Sequence, residues 1–339
     1  MMLMQRKKLA VLTAIVALVV VLASFVSCER ARERAAAEAR FPSRPIEVAS
    51  LHGAGGGTEL MIRSVAVGAQ ERLGQNFVSV IVTGGAGMPA WHRFVTQPHD
   101  GHTLKAFGPE QVIQHVRGHI NMWEHLIPLV RTQHDVFVYF ARYDDPRFPD
   151  VHAMMAYLRA NPGTTIAGTN VASFDDVQIN LFAMEHNLDF NYVPYPSAAE
   201  AFAAVLGGHT DLLGEEIGPA AGLVESGHLR PLVVFLDDRD YVDHPLLQGV
   251  PTSRALGWSD EVGMGRWRGF AIGRNTDPEQ VRILAEAIRY GVQTETYLRM
   301  ERDNLLDIRP GWLWPDEFME FIRREVEINQ EVVSALGWD

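Results

Sequence analysis

The chain of 339 residues contains a single cysteine, Cys28. A disulfide within one chain and a cysteine-based zinc site are therefore excluded. Lysine is also scarce, occurring at Lys7, Lys8 and Lys105, and we attribute the preference for arginine to codon usage. The net charge of −12 provides no basic excess for binding a polyanion. We therefore expect no nucleic-acid partner.

The motifs of common catalytic and cofactor sites are missing as well. The sequence has no Gly-x-Ser-x-Gly hydrolase motif and no P-loop. The glycines that begin at Gly53 lack the dinucleotide spacing, since Thr58 stands where the third glycine belongs. His115 and His119 have the spacing of metal ligands, but Gly118 interrupts that helix. We expect a protein without catalytic activity, cofactor or metal.

The N-terminal segment has the pattern of an export signal. Three positive residues at 6–8 precede an apolar stretch at 9–26. Residues 25–28 resemble the lipobox of bacterial lipoproteins, which would make Cys28 an acylated residue after cleavage. The alternative is an uncleaved anchor, because about 18 apolar residues can span a bilayer. In either case residues 29–41 would form a charged tether, and the protein would lie in the periplasm at the membrane.

From residue 46 onward, apolar patterns of strand and helix alternate, which predicts an α/β fold with mostly parallel sheets flanked by helices. Strands are predicted at 46–52, 77–82, 103–107, 126–131, 135–141, 164–168, 191–195, 211–214, 229–236 and 267–272. Helices are predicted at 58–73, 89–97, 151–160, 175–187, 197–207, 218–226, 277–292 and 315–335.

Two glycine clusters, at 53–57 and 84–87, each follow a predicted strand and precede a predicted helix. Glycine allows the main chain to approach a ligand closely, and a helix N-terminus favours negative charge. Ligands of open α/β sheets bind beyond the carboxyl ends of the strands. The clusters therefore predict an anion site, although glycine-rich turns also serve as tight corners.

Longer motifs occur in order along the chain. They begin with a Pro-Ser-Arg-Pro-Ile strand at 42–46 and a Gly-Gly-Gly-Thr-Glu segment at 55–59. Others lie at 71–75, 84–88, 98–104, 193–195, 206–212, 226–232 and 315–325. Together these motifs resemble the substrate-binding proteins of tripartite tricarboxylate transporters, the Bug-type family.

The resemblance implies a type II periplasmic binding protein of Venus-flytrap form, with two lobes joined by two crossover strands. Lobe 1 would comprise residues 42–141 and 263–339, and lobe 2 residues 142–262. The function implied is capture of a small polar organic solute, such as a carboxylate, a hydroxylated acid or a zwitterion. The partners implied are the membrane permease subunits of a tripartite transporter.

The resemblance also implies ligand contacts in the loops at the strand ends of both lobes. The residues implied in lobe 1 are His52, Gly55, Gly56, Gly57, Thr58, Glu59, Gly84, Gly85, Ala86, Gly87, Gly108 and Pro109. Those implied in lobe 2 are Gly168, Thr169, Asn170, Ser173, Asp176 and Glu215. Trp267, which follows the presumed second crossing, is a further candidate for stacking on a ligand.

These loops carry no arginine or lysine, and they contain acids at Glu59, Asp176 and Glu215. Each contact of a ligand carboxylate with such an acid would cost roughly 1–4 kcal/mol. We therefore hypothesise that the ligand is not a plain dicarboxylate. In the alternative, the acids face water or cap helices. Two other functions stay open: a membrane-tethered sensor that feeds a signalling receptor, and a periplasmic enzyme.

Overall fold

A computed structural model describes residues 41–50, 57–82, 87–236, 244–259 and 265–338. The predicted signal, Cys28 and nearly all of the tether lie outside these residues. The chain divides into two units at Pro45, and everything below concerns the unit that begins at Ile46. Within the described residues, no helix combines the length and apolar character needed to cross a bilayer.

The first sheet has the strand order β2-β1-β3-β10-β4. Its strands are β1 (Ile46–Ser50), β2 (Phe77–Ile81), β3 (Thr103–Phe107), β4 (Leu126–His134) and β10 (Trp267–Gly273). Strand β1 pairs in parallel with β2 and β3, whereas β10 runs antiparallel to both β3 and β4.

The second sheet repeats this plan in the order β7-β6-β8-β5-β9. Its strands are β5 (Phe137–Arg142), β6 (Thr164–Thr169), β7 (Phe190–Tyr195), β8 (Leu212–Glu216) and β9 (Leu229–Phe235). Here β5 is the strand that runs antiparallel to both of its neighbours, β8 and β9.

In each sheet, the strand that runs against the other four is the one that enters from the opposite half of the molecule. The predicted α/β arrangement of two lobes with crossover strands is thus confirmed. The assignment of residues 135–141 to lobe 1 was wrong, because β5 pairs with β8 and β9 in the second sheet. The first crossing therefore lies between His134 and Phe137.

The helices flank both sheets. In chain order they are α1 (Gly57–Leu73), α2 (Met88–Val95), α3 (Pro109–Val116), α4 (Met122–His125), α5 (Val151–Ala160), α6 (Phe174–His186), α7 (Ala198–Leu206), α8 (Ile217–Glu225), α9 (Pro278–Gly291), α10 (Glu295–Asp303) and α11 (Pro315–Leu336). All eight predicted helices are present within a few residues. The prediction missed α3, α4 and α10, which are short and, for α10, strongly polar.

The C-terminal helix α11 packs against both sheets. Phe318 and Ile322 belong to the core beneath the first sheet, together with Phe107 and Trp267. Ile328 and Val332, further along the same helix, belong to the core of the second sheet. The C-terminal segment therefore does not belong to lobe 1 alone, as was predicted. One long amphipathic helix contributes apolar side chains to the cores of both sheets.

The two crossings lie side by side. The main-chain N–H of Asp135 donates to the carbonyl of Arg266 at 2.7 Å. The carboxyl ends of the parallel strands point toward these crossings, and helices α1, α3 and α6 begin there. This end of both sheets is where an open α/β fold places its ligand.

Candidate functional site

A cavity of about 100 Å³ lies at the carboxyl ends of β1 and β3. It forms where α1 and α3 begin and where β10 enters the first sheet. The residues that line it are Gly57, Thr58, Ala106, Phe107, Gly108, Pro109, Glu110, Gln111, Arg266, Trp267 and Arg268. Because α1 and α3 both start at this cavity, their N-termini favour negative charge inside it.

Arg266 links the cavity to the second sheet. Its Nη1 donates to Glu110 Oε1 of α3 at 2.9 Å, and its Nη2 donates to Asp175 Oδ1 of α6 at 2.8 Å. Its Nε donates to Glu216 Oε1 at the end of β8. The guanidinium also lies over the ring of Phe174, 5.1 Å from the ring centre. One side chain at the second crossing thus joins both halves of the molecule.

Arg268 lies in β10, two residues after Arg266, so the two side chains are on the same side of the chain. Its Nη1 donates to Asp135 Oδ2 at 2.6 Å, which connects the two crossings through their side chains. Its Nη2 also lies 3.1 Å from the place where a Cβ on Gly57 would stand. A glycine at the start of α1 therefore makes room for this guanidinium.

The pKa values of the acids around Arg266 are shifted in different directions. Burial raises the pKa of Glu215 well above its ordinary value, and the charge of Glu216 beside it adds to this effect. Burial acts in the same direction on Glu216, but Arg266 outweighs it and holds the pKa of Glu216 below its ordinary value. Burial likewise raises the pKa of Asp175, against the attraction of Arg266. Arg266 thus favours the charged form of Glu216, whereas burial disfavours the charged forms of Glu215 and Asp175.

Two acids in the first turn of α6 bind main-chain donors of the segment that precedes the helix. The carboxylate of Asp175 accepts from the N–H of Thr169 at 2.8 Å and from its hydroxyl at 2.5 Å. The carboxylate of Asp176 accepts from the N–H of Ala172 at 2.8 Å. The chain's own acids thus bond the main-chain donors before α6, and the hydroxyl of Ser173 caps the helix by accepting from the N–H of Asp176, where main-chain donors for a ligand anion were expected.

Among the predicted site residues, four line the cavity: Gly57, Thr58, Gly108 and Pro109. The N–H of Gly108 donates to Gln111 Oε1 at 2.9 Å, so this donor is used within α3. Glu59, also predicted, forms an ion pair with Arg63 at 3.6 Å one helical turn away.

The other predicted residues of the described chain do not line this cavity. They are Glu59, Gly87, Gly168, Thr169, Asn170, Ser173, Asp176 and Glu215. In the second sheet, the acids that reach Arg266 are their immediate neighbours, Asp175 and Glu216. His52, Gly55, Gly56, Gly84, Gly85 and Ala86 lie outside the described residues.

Sequence reasoning missed the arginines. It examined the loops, which do lack cations, but Arg266 and Arg268 come from the start of β10 at the second crossing. The sequence signal that could have identified them is a pair of arginines at alternate positions, where the chain crosses back to the first sheet. The hypothesis that Trp267 stacks on a ligand is not supported, because its side chain is fully buried and its Nε1 donates to Glu325 Oε2 at 3.0 Å.

Two α/β halves joined by two crossings, with a cavity at the strand ends of the first half beside the second crossing, define a two-lobed fold of the kind that binds solutes. Residues 61–338 match the family model described as "Tripartite tricarboxylate transporter family receptor". The chain therefore belongs to this family of periplasmic solute-binding proteins.

Individual relatives agree with this assignment. Protein BugT of Bordetella pertussis is 26% identical over 303 residues, covering 88% of this chain and 90% of BugT. A crystal structure of a TctC solute-binding protein from Polaromonas has a TM-score of 0.74 at 23% identity, over 87% of this chain and 99% of that one. MatC from Rhodopseudomonas palustris with bound malate has a TM-score of 0.68 at 21% identity, over 86% of this chain and all of that one.

Proposed function

We propose that this receptor captures a small carboxylic acid that also carries a hydroxyl or ammonium group. The observation that supports this most directly is the unequal chemistry of the two halves around Arg266. The first half offers two helix N-termini and one carboxylate, Glu110, whereas the second half offers the carboxylates of Asp175 and Glu216. A ligand with an anionic end and a hydrogen-bond-donating end matches that polarity.

The first half suits the anionic end. Helices α1 and α3 begin at the cavity, and each helix N-terminus favours an anion by about 0.3–1 kcal/mol or more when partly buried. Gly57 lines the cavity at the start of α1, and Gly108 lines it at the start of α3, where its N–H is already bonded to Gln111. A ligand carboxylate would therefore be held mainly by the first half.

The second half suits the donating end. Arg266 is matched there by Asp175 and Glu216, and Asp135 balances Arg268, so neither guanidinium is an uncompensated charge. A second ligand carboxylate next to these acids would be repelled, at roughly 1–4 kcal/mol for a like charge at 4 Å. A hydroxyl or ammonium group would instead donate to them. Malate, which MatC has bound in the same fold, carries such a hydroxyl in addition to its two carboxylates.

We further propose that the solute is released unchanged to the membrane permease subunits of a tripartite transporter. Membership of the receptor family supports this role. The apolar segment at 9–26 and Cys28 support a protein held at the membrane, by acylation or by an uncleaved anchor. Mass spectrometry of a solute recovered after binding would reveal turnover if the protein were an enzyme.

A thermal-shift panel followed by calorimetry tests the ligand class. The panel contains succinate, citrate, L-malate, L-aspartate, acetate and a polyol. We expect L-malate or L-aspartate to raise the melting temperature more than succinate does. Tight binding of succinate or citrate alone would contradict the proposal.

A matched pair of variants tests the role of the second half. Asp175→Asn removes an acid next to Arg266, so it should weaken the preference for L-malate or L-aspartate over succinate. Glu320→Gln removes an acid from the exposed side of α11, where its side chain is 80% exposed. The control should keep the wild-type order of ligands. An equal loss of preference in both variants would count against a role for Asp175.

A further inference from the structure

Lys105 is the one lysine beyond residue 8, and it is fully buried in the middle of the first sheet. It lies on β3, opposite Ala49 of β1 and Ala271 of β10. Residues directly opposite in a sheet share a face, and the two alanines leave space for a long side chain to run across that face. A lysine among small apolar neighbours requires an explanation, because an ammonium group is costly to bury without a partner.

The ammonium lies at the ligand end of the sheet. Its Nζ donates to the carbonyl of Ala106 at 2.9 Å and is 3.4 Å from the carbonyl of Ala49. Ala106 lines the cavity, and Ala49 stands one residue before the end of β1. The ammonium is therefore one hydrogen bond away from Ala106, a residue that lines the cavity.

In the part of the chain that the structure describes, no carboxylate lies within 4 Å of this ammonium. Lysine carries three donors, and the two described acceptors are both main-chain carbonyls. The acid whose charge reaches it is Glu110, which lines the same cavity but is bonded to Arg266. Among the described residues, none neutralises the positive charge of Lys105 by direct contact.

We propose that Lys105 is a specificity-determining residue of the receptor, whose buried charge selects an anionic group in the cavity above β1 and β3. It acts as a charge one hydrogen bond behind Ala106 of the cavity lining, and it does not replace the helix N-termini as donors. The proposal rests on the proposed function, since it assigns the charge that recognises the ligand carboxylate. The attribution of the lysine distribution to codon usage does not explain this position.

The protonation of Lys105 makes the proposal measurable. Burial lowers its pKa to about 8, against the opposing influence of Glu110. The lysine is therefore mostly charged at pH 7 and mostly neutral at pH 9. A bound anion would favour the charged form, so binding at pH 8 should take up part of a proton.

The titration of Lys105 must be distinguished from that of the other charged groups near the same face of the sheet. Glu47 of β1 pairs with Arg93 of α2 at 2.7 Å. Glu325 of α11 accepts from Trp267, and burial raises its pKa to about 7. Arg266 is held by three acids. Glu325 is thus the other described group near this core whose titration approaches the same range.

The experiment is calorimetry of the purified wild-type chain with the acids of the panel above, at pH 7, 8 and 9. At pH 8 it is repeated in phosphate and Tris buffers, which differ in ionisation enthalpy. The wild type should bind at least one acid, take up a fraction of a proton at pH 8, and lose about tenfold in affinity between pH 7 and 9. Lys105→Met should bind at least tenfold more weakly at pH 7 and show neither proton uptake nor this pH dependence.

Two controls accompany the test. Arg93→Gln removes a positive charge from the same face and should leave affinity within about twofold. Glu325→Gln should retain the proton uptake. Binding of an acid without proton uptake by the wild type would overturn the inference even if Lys105→Met failed to fold, as would unchanged binding by a folded Lys105→Met. If the wild type bound none of the acids, the proposed function itself would fail.

Discussion

Arg266 at the entrance of β10 and Asp175 in the first turn of α6 are joined by a hydrogen bond of 2.8 Å between the two halves of the molecule. The same guanidinium bonds Glu110 and Glu216. Removal of one partner from a buried ion cluster is far more costly than the net stabilisation by the cluster, because it leaves unpaired charges. We expect Arg266→Met to lower the free energy of unfolding by about 3–5 kcal/mol at pH 7.

Urea unfolding checks this prediction, and the pH supplies its internal control. At pH 5 the loss should be smaller, because the stranded acids can take up protons. Arg282→Met on α9 removes an exposed arginine that also contacts two acids, Glu279 and Glu286. That variant should show no measurable change. Equal effects of the two substitutions would mean that the cluster around Arg266 is no more important than a surface pair.

Burial of Lys105 should lower the free energy of unfolding of the wild-type protein at neutral pH. Its folded-state pKa of about 8 lies below the ordinary value of 10.5, so the unfolded chain binds more protons between these values. Wild-type stability should therefore rise from pH 8 to pH 10.5 through this group. Lys105→Met should be more stable than wild type by about 2–3 kcal/mol at pH 7. Thermal or urea unfolding at pH 7 and 10 measures this, and a less stable variant at pH 7 would contradict it.

Glu325 should make stability depend on pH in the opposite direction. Burial raises its pKa to about 7, above the ordinary 4.5, so the folded protein holds a proton that the unfolded chain has released. Its stabilising contribution is complete below pH 4.5 and is lost as the pH rises through 7. Glu325→Gln preserves an acceptor for Trp267 and should be about 2–3 kcal/mol more stable than wild type at pH 8. At pH 4 the two proteins should unfold at similar urea concentrations.

Gly291 provides a test of close helix packing. A Cβ at this position, at the end of α9, would lie 2.5 Å from the carbonyl oxygen of Val65 in α1. Gly291→Ala should therefore destabilise the protein by about 1–3 kcal/mol. Gly222 in α8 is the matched control, because a Cβ there meets nothing within 4 Å. Gly222→Ala should stabilise by about 0.5–1 kcal/mol, since alanine favours a helix over glycine.

The alternation of strands and helices could be predicted because each element carries a local pattern of apolar residues. The predicted helix at 151–160 and strand at 103–107 coincide with α5 and β3. Membership of a sheet could not be predicted in this way. A buried strand such as β5 looks the same whether it pairs with β4 or with β8, so its assignment to the first half was wrong.

The cavity contains some of the predicted residues. Gly57 at the start of α1 belongs to the first predicted glycine cluster, whereas Gly108, at the start of a helix that was not predicted, was implied only by the family resemblance. In the second half, Asp176 and Glu215 were predicted as ligand contacts, whereas Asp175 and Glu216 reach Arg266. Adjacent residues in a strand point to opposite faces, and adjacent residues in a helix differ by about 100°, so the choice depends on where the partner stands.

The sequence by itself determined the order of the elements, the family and the positions of the glycine-rich helix starts, because these depend on local spacing. The tertiary structure decided which charges meet. Arg266 lies 91 residues from Asp175 and 156 residues from Glu110, and Lys105 reaches a carbonyl 56 residues earlier in the chain. Electrostatic interactions depend on distance in space and on burial, and neither quantity can be read from separation along the chain.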